Sequence, residues 1–254
     1  MSGLKKLKNS VLRHTALPVL LVWLAVWYAV SELIGLELLI PSPSAVFDSF
    51  ITLIKEKEFY ISCLNSLYKV IAGWSAGIIS GTLIAIITGI SPVLREFFKP
   101  VLHIIKATPV ASFIILALVL MSSGQVPFFT CALITVPVVW ANISEGLLSP
   151  DKKILEMADF FKMPLKKRIT DIYIPAVLPY FSAAATTTMG LSWKAGIAAE
   201  VICTPADTIG AGIQNAKIYL ETPSLFAWTI TVIILSMLLE KLLTFILKKH
   251  GGKL

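Results

Sequence analysis

Charge is what this sequence has least of: 15% of its 254 residues are charged, against 56% that are hydrophobic. So small a polar share cannot cover a soluble domain of this length, which leaves an integral membrane protein. Cysteine is scarce too, and Cys63, Cys131 and Cys203 stand too far apart in sequence for a metal spacing or an evident disulfide framework. All three read as structural. His14, His103 and His250 are equally isolated, so no metal site is expected. The sequence also lacks a GxxxxGK[ST] phosphate loop and any extramembrane segment the size of a substrate-binding domain. Neither catalytic residues nor a cofactor are therefore expected on this chain. The net charge of +7 is spread between apolar runs rather than gathered into a basic stripe with interleaved aromatics, which argues against nucleic acid as a partner.

What is present is a series of long apolar runs. Leu17 to Leu36 follows a basic start at Lys5, Lys6, Lys8 and Arg13, as in a signal peptide. At about 30 Å of helix it is long enough to cross a bilayer, and no small-residue cleavage site follows, so it is expected to remain as the first span. Five more spans are predicted at Leu64 to Ile90, Pro100 to Met121, Pro127 to Leu148, Ala176 to Ile202 and Pro223 to Leu247. Gly73, Gly77 and Gly81 put small residues on one face of the second, where another helix can approach closely. Lys106 and Pro109 predict a kink in the third. Between the first two spans, Ala45 to Phe59 reads as a short amphipathic helix with Val46, Phe50 and Leu53 on one side. Cys203 to Thr222 carries Pro205, Asp207, Gly210 and Gly212, which predict a broken outer segment. The expected fold is an all-α membrane protein of about six transmembrane helices, with residues 1–254 forming one transmembrane domain.

Lysine and arginine set the orientation, because they accumulate on the cytoplasmic side. Fifteen lie in the two termini and the even-numbered connections, while only Lys55, Lys57 and Lys217 lie in the odd-numbered ones. Both termini are therefore expected inside, with residues 1–16 as a cytoplasmic basic arm. The connection at 149–175 is cytoplasmic on the same count.

That connection is polar between two apolar spans. Ser149, Pro150 and Asp151 suit a helix start, Ile154, Ala158 and Phe161 share one face, and Pro164 interrupts the run. Leu165, Ile169 and Ile172 then repeat the helical spacing, giving a helix-turn-helix outside the membrane. Charge and periodicity alone also fit a basic amphipathic loop resting on lipid headgroups. The order of residues adds more: Glu156-Met157-Ala158, with Pro175 nineteen positions after Glu156, resembles the "EAA" loop of ABC-importer permeases. Two positions depart from that pattern. Met157 replaces the usual first alanine, and Lys162 stands where the family usually has glycine, so a differently built turn around Pro164 is expected. Trp193, Ala198-Ala199-Glu200, Ile209-Gly210 and Ile213 are similar to the nitrate/sulfonate/taurine-type branch.

The resemblance implies a type I importer permease in the cell membrane, forming a translocation path for a small solute. It implies a homodimer, two copies of a separate ABC ATPase subunit and an extracytoplasmic substrate-binding protein. Within it, Glu156, Met157, Ala158, Phe161, Lys162 and Pro175 would form the ATPase-coupling loop. A secondary transporter or a structural membrane subunit are the alternatives; the first should show repeated broken helices, and the second needs no coupling loop.

The fifth span is built of unusually small residues. Ala184, Thr188, Ser192 and Gly196 lie four apart, with Glu200 next, and Thr188, Ser192, Gly196 and Glu200 are expected to line the path or a dimer seam. Lys194 is six residues from Glu200, about 240° around the helix, so the two are not a direct pair. It is expected to meet an acidic group or a carbonyl of a neighbouring span.

Overall fold

A computed structural model describes residues 2–251, with side chains described for 18–247 and 249. The side chains of the basic arm at 1–16, and those of Lys248 and Lys253, lie outside the described residues. All regular structure among the described residues is helical. The chain divides into two compact units, residues 1–60 with 212–230, and residues 61–211 with 231–254.

In the first unit, α1 (Ser2–Ile34) stops at Gly35, whose φ of +62° is the left-handed conformation that ends helices and whose N–H donates to Ser31 O. Trp27 Nε1 donates to Pro41 O at 3.1 Å, Ser31 Oγ donates to Ile40 O at 3.0 Å, and the Trp27 ring stacks on Phe226. Ser42 then caps α2 (Pro43–Lys55) by accepting from Ala45 N. The amphipathic stripe is present, with Val46 and Leu53 buried and Phe50 half-buried. It ends sooner than predicted: the chain breaks at Glu56 and α3 (Lys57–Ile90) starts there, seven residues before the apolar run at Leu64.

The second unit holds most of α3 and then α4 (Pro92–Ala107), α5 (Val110–Leu120) and α6 (Val126–Leu148). After α7 (Lys152–Phe160), the short α8 (Leu165–Arg168) runs through a π-turn at Ile169–Tyr173 into α9 (Ile174–Cys203). The start of α10 (Ile209–Ile218) and the later part of α11 (Thr222–Gly251) complete it.

By length and composition, α3, α6 and Thr222–Leu247 of α11 are long and apolar enough to cross a membrane, matching the second, fourth and sixth predicted spans. The third is bent far more sharply than a simple kink. Pro109 forces Thr108 into an extended conformation (φ −79°, ψ 134°), and α4 and α5 meet there at 105°. At 11 residues, about 16 Å, α5 alone cannot cross the hydrocarbon core. The first span retains Pro18–Ile34 as a shorter apolar helix. The fifth is present as the 30-residue α9 but is not among the apolar helices, because small and polar residues lower its hydropathy; Thr188, Ser192 and Glu200 among them are buried against protein.

The predicted glycine face closes the α3 and α6 contact. A Cβ on Gly77 would come within 2.5 Å of Thr135 Cβ, one on Gly81 within 2.9 Å of Val136 O, and one on Gly73 would strike Phe128 O. On its other side α6 packs along α9, with Ala85, Val139, Ile143 and Ala184 in one buried cluster and Ile114, Ala117, Val126, Ala199 and Cys203 in another.

Candidate functional site

The loop between α6 and α9 is built around a tight reversal. Its first helix starts later than predicted: Ser149 ends α6, and Asp151 is the cap, its side chain accepting from Lys153 N at 2.9 Å. At the other end Lys162 N donates to Asp159 O and Met163 N to Ala158 O, the paired bonds of a Schellman turn. Lys162 has φ +51°, the left-handed conformation that this turn requires and glycine supplies most cheaply. The turn expected to differ around Pro164 therefore keeps a glycine-type geometry, with lysine in it. Arg168 then ties α8 back to α7, its Nη1 donating to Asp159 Oδ1 at 2.8 Å and its Nη2 to Leu155 O. The bond to Asp159 also pushes the Arg168 guanidinium above its ordinary range. Sequence reasoning did not single out this residue; an arginine nine positions after an aspartate, across a proline, was the available signal.

Within this hairpin Ala158 is buried at 4% exposure, while Glu156 and Lys162 are exposed and Pro175 is half-buried. Met157, Phe160 and Phe161 are 54%, 81% and 73% exposed, and Ile154 and Leu165 are exposed beside them. Ala158 thus turns inward, away from the outer face it was expected to share with Ile154 and Phe161. Pro175 sits in the first turn of α9, directly after the π-turn. Its ring displaces the carbonyl four residues back, at Asp171, and the wider π-turn accommodates that.

In α9 the small-residue face is a packed seam within one chain. Thr188 Oγ1 accepts from Trp74 Nε1 at 2.9 Å, and Ser192 Oγ shares a 2.8 Å hydrogen bond with Thr135 Oγ1. A Cβ on Gly196 would meet Val70 Cγ2 at 2.7 Å and Cys131 Sγ at 2.8 Å. Glu200 Oε2 accepts from Ser66 Oγ at 2.7 Å and from Gly210 N at 3.1 Å, while Ser66 Oγ accepts from Ile209 N at 3.0 Å. The carboxylate thus satisfies free donors at the start of α10, the helix end that favours negative charge. Thr188, Ser192 and Glu200 are all 0% exposed. In this conformation α3, α6 and α10 cover the face expected to line the path or a dimer seam.

Lys194 lies on another side of α9 and is exposed, with no ion pair or hydrogen bond among the described residues. The acidic or carbonyl partner expected for it is not found among the described residues. A lysine facing lipid at membrane depth costs about 2.5–3.5 kcal/mol on insertion scales, so such a position favours water or another protein surface.

The long apolar helices are those of a membrane protein, and comparison identifies its family. The family described as the inner membrane component of binding-protein-dependent transport systems matches residues 76–250. The chain belongs to this family. Among relatives, the nitrate import permease protein NrtB of Synechococcus elongatus is 26% identical, over 71% of this chain and 68% of its own. A putative aliphatic sulfonates transport permease protein, SsuC of Bacillus subtilis, is 22% identical over 90% and 83%. In fold, the chain superposes on a subunit of an amino acid ABC transporter crystal structure with a TM-score of 0.64, at 16% identity, covering 79% of this chain and 98% of that one. The protein is a multi-pass permease subunit of an ABC importer, and permeases of this kind work with ATPase and binding-protein partners.

Proposed function

We propose that the hairpin at 149–175 is the surface through which a separate cytoplasmic ATPase drives this permease. One observation carries the reading: the extramembrane hairpin holds Met157, Phe160 and Phe161 out into solvent while it buries Ala158. A loop free of partners loses by exposing two phenylalanines, whereas a docking surface gains. Glu156 is exposed and belongs to the contact; Ala158 positions the helix from inside the hairpin. Both termini are cytoplasmic, on the support of the lysine and arginine count. Residues 1–254 act as one permease domain, which pairs with a second copy and with two ATPase subunits. An extracytoplasmic binding protein delivers the solute, a small anion, as the names of the nitrate and sulfonate relatives suggest. ATP binding to the ATPases draws the two hairpins together and favours one of two helix packings, which is alternating access.

Glu156→Lys tests the coupling. It leaves the hairpin's internal bonds intact, so the complex should insert, yet solute and binding protein should no longer stimulate ATP hydrolysis. For a loop that only rests on headgroups, stimulated hydrolysis stays normal. Reporter fusions after Lys99 and Arg168 should read cytoplasmic and one after Lys217 external; an external reading at Arg168 contradicts the docking surface.

A further inference from the structure

The exposed side of α9 is poorer in large apolar residues than the exposed sides of α3 and α11. Exposed positions in α3 and α11 include Ile79, Leu83, Leu238 and Leu242, as hydrocarbon requires, although α11 also exposes Glu240 and Lys241. On α9 the exposed series is Ala183, Thr187, Lys194 and Ala198, with Leu191 the apolar exception. Two donors on this face are unused. The hydroxyls of Thr186 and Thr188 donate back to the carbonyls of Ser182 and Ala184, whereas that of Thr187 makes no hydrogen bond among the described residues. Lys194 is likewise unpaired, although Glu240 Oε1 borders the face, 3.0 Å from where a Gly190 Cβ would sit. Towards the start of α9 the same side reaches Tyr180, which with Arg95, Asn142, Ser144 and Glu145 lines a cavity of about 260 Å³.

We propose that this side of α9 is the wall of the translocation path and that Lys194 is its specificity-determining residue, meeting a small oxyanion as it passes. The inference rests on the reading that the permease pairs with a second copy and carries an anion. An oxyanion offers only acceptors, and an ammonium offers only donors together with the opposite charge. Thr187, two turns away, supplies a further donor, and Ala183 and Ala198 leave room beside them. An internal carboxylate paired to Lys194 would compete with the solute; Glu240, beside Gly190, makes no ion pair with it. In a symmetric pair, two such lysines facing one space concentrate anions and repel cations.

The test is uptake of nitrate and of methanesulfonate by the permease reconstituted with its ATPase and binding protein. Lys194→Gln should lower uptake about tenfold or more, while Lys194→Arg keeps most of it. A charge rescue separates function from folding: with Cys63, Cys131 and Cys203 replaced, Lys194→Cys should regain uptake after an aminoethyl thiol reagent and not after a sulfonatoethyl one. Thr187→Val should give a smaller loss, and carries the test where Lys194 variants fail to assemble with the ATPase. If the unaltered complex moves neither ion, the anionic-solute reading fails and the inference with it. If it moves them and Lys194→Gln moves them equally well, only the inference is overturned. A Lys194→Gln defect present in phosphatidylglycerol vesicles and absent in phosphatidylcholine would assign the lysine to lipid headgroups and overturn it too.

Discussion

The hairpin between α6 and α9 and the seam inside α9 invert each other. The hairpin exposes Met157, Phe160 and Phe161; the seam hides Thr188, Ser192 and Glu200 between helices. Each arrangement costs free energy unless something compensates. In the seam the compensation is internal: Trp74, Thr135 and Ser66 partner Thr188, Ser192 and Glu200 Oε2, while Glu200 Oε1 is buried without a hydrogen bond. In the hairpin nothing internal compensates among the described residues, which is why we propose that the missing surface belongs to another chain. A polar residue in a span and an apolar residue in a loop are thus informative only once their neighbours are known.

The comparison can be broken most severely at the seam. Gly77→Leu forces a side chain against Thr135 Cβ, which a Gly77 Cβ would already approach to 2.5 Å. Overpacking of this kind costs about 1–3 kcal/mol or more, so the variant should fail to accumulate as a folded, detergent-stable protein. Glu200→Ala removes the acceptor of Ser66 Oγ and Gly210 N, and each orphaned buried donor costs about 1–3 kcal/mol. Its thermal midpoint in detergent should fall clearly, and Glu200→Gln, which keeps an acceptor oxygen, should fall less.

A sharper contrast comes from thiol labelling of α9 on a background without native cysteines. Cysteines at Thr188 and Ser192 should resist a water-soluble reagent, and those at Thr187 and Lys194 should react. Fast reaction at Ser192 would show that the seam opens to water, restoring it as a wall of the path. The smallest effect belongs to the hairpin turn. Lys162→Gly relieves a left-handed conformation that costs a non-glycine residue roughly 1 kcal/mol, so proteolytic nicking of the loop should slow slightly.

Much of this was legible in the sequence for one physical reason: period and length survive tertiary context. The glycine spacing in α3 announced the close α6 contact, and the apolar runs of α3, α6 and α11 announced their spans. Pro109 announced a kink, yet not a 105° turn, because a proline fixes its own φ and its neighbour's region but not the packing of the flanking helices. The face of α9 was identified as special and its surroundings were not: small residues at four-residue spacing serve a seam within one chain as well as one between chains. The hairpin's length and order were legible as well, while its Schellman turn was obscured by a lysine at the position that favours glycine.

The claim on which the account most depends is that the exposed apolar residues of the hairpin touch an ATPase. A photo-cross-linking amino acid placed at Phe161 in the assembled complex measures this directly. The account predicts one protein adduct, the ATPase subunit, with a yield that changes on adding ATP. Adducts to lipid alone, with the same complex intact and active, would contradict it.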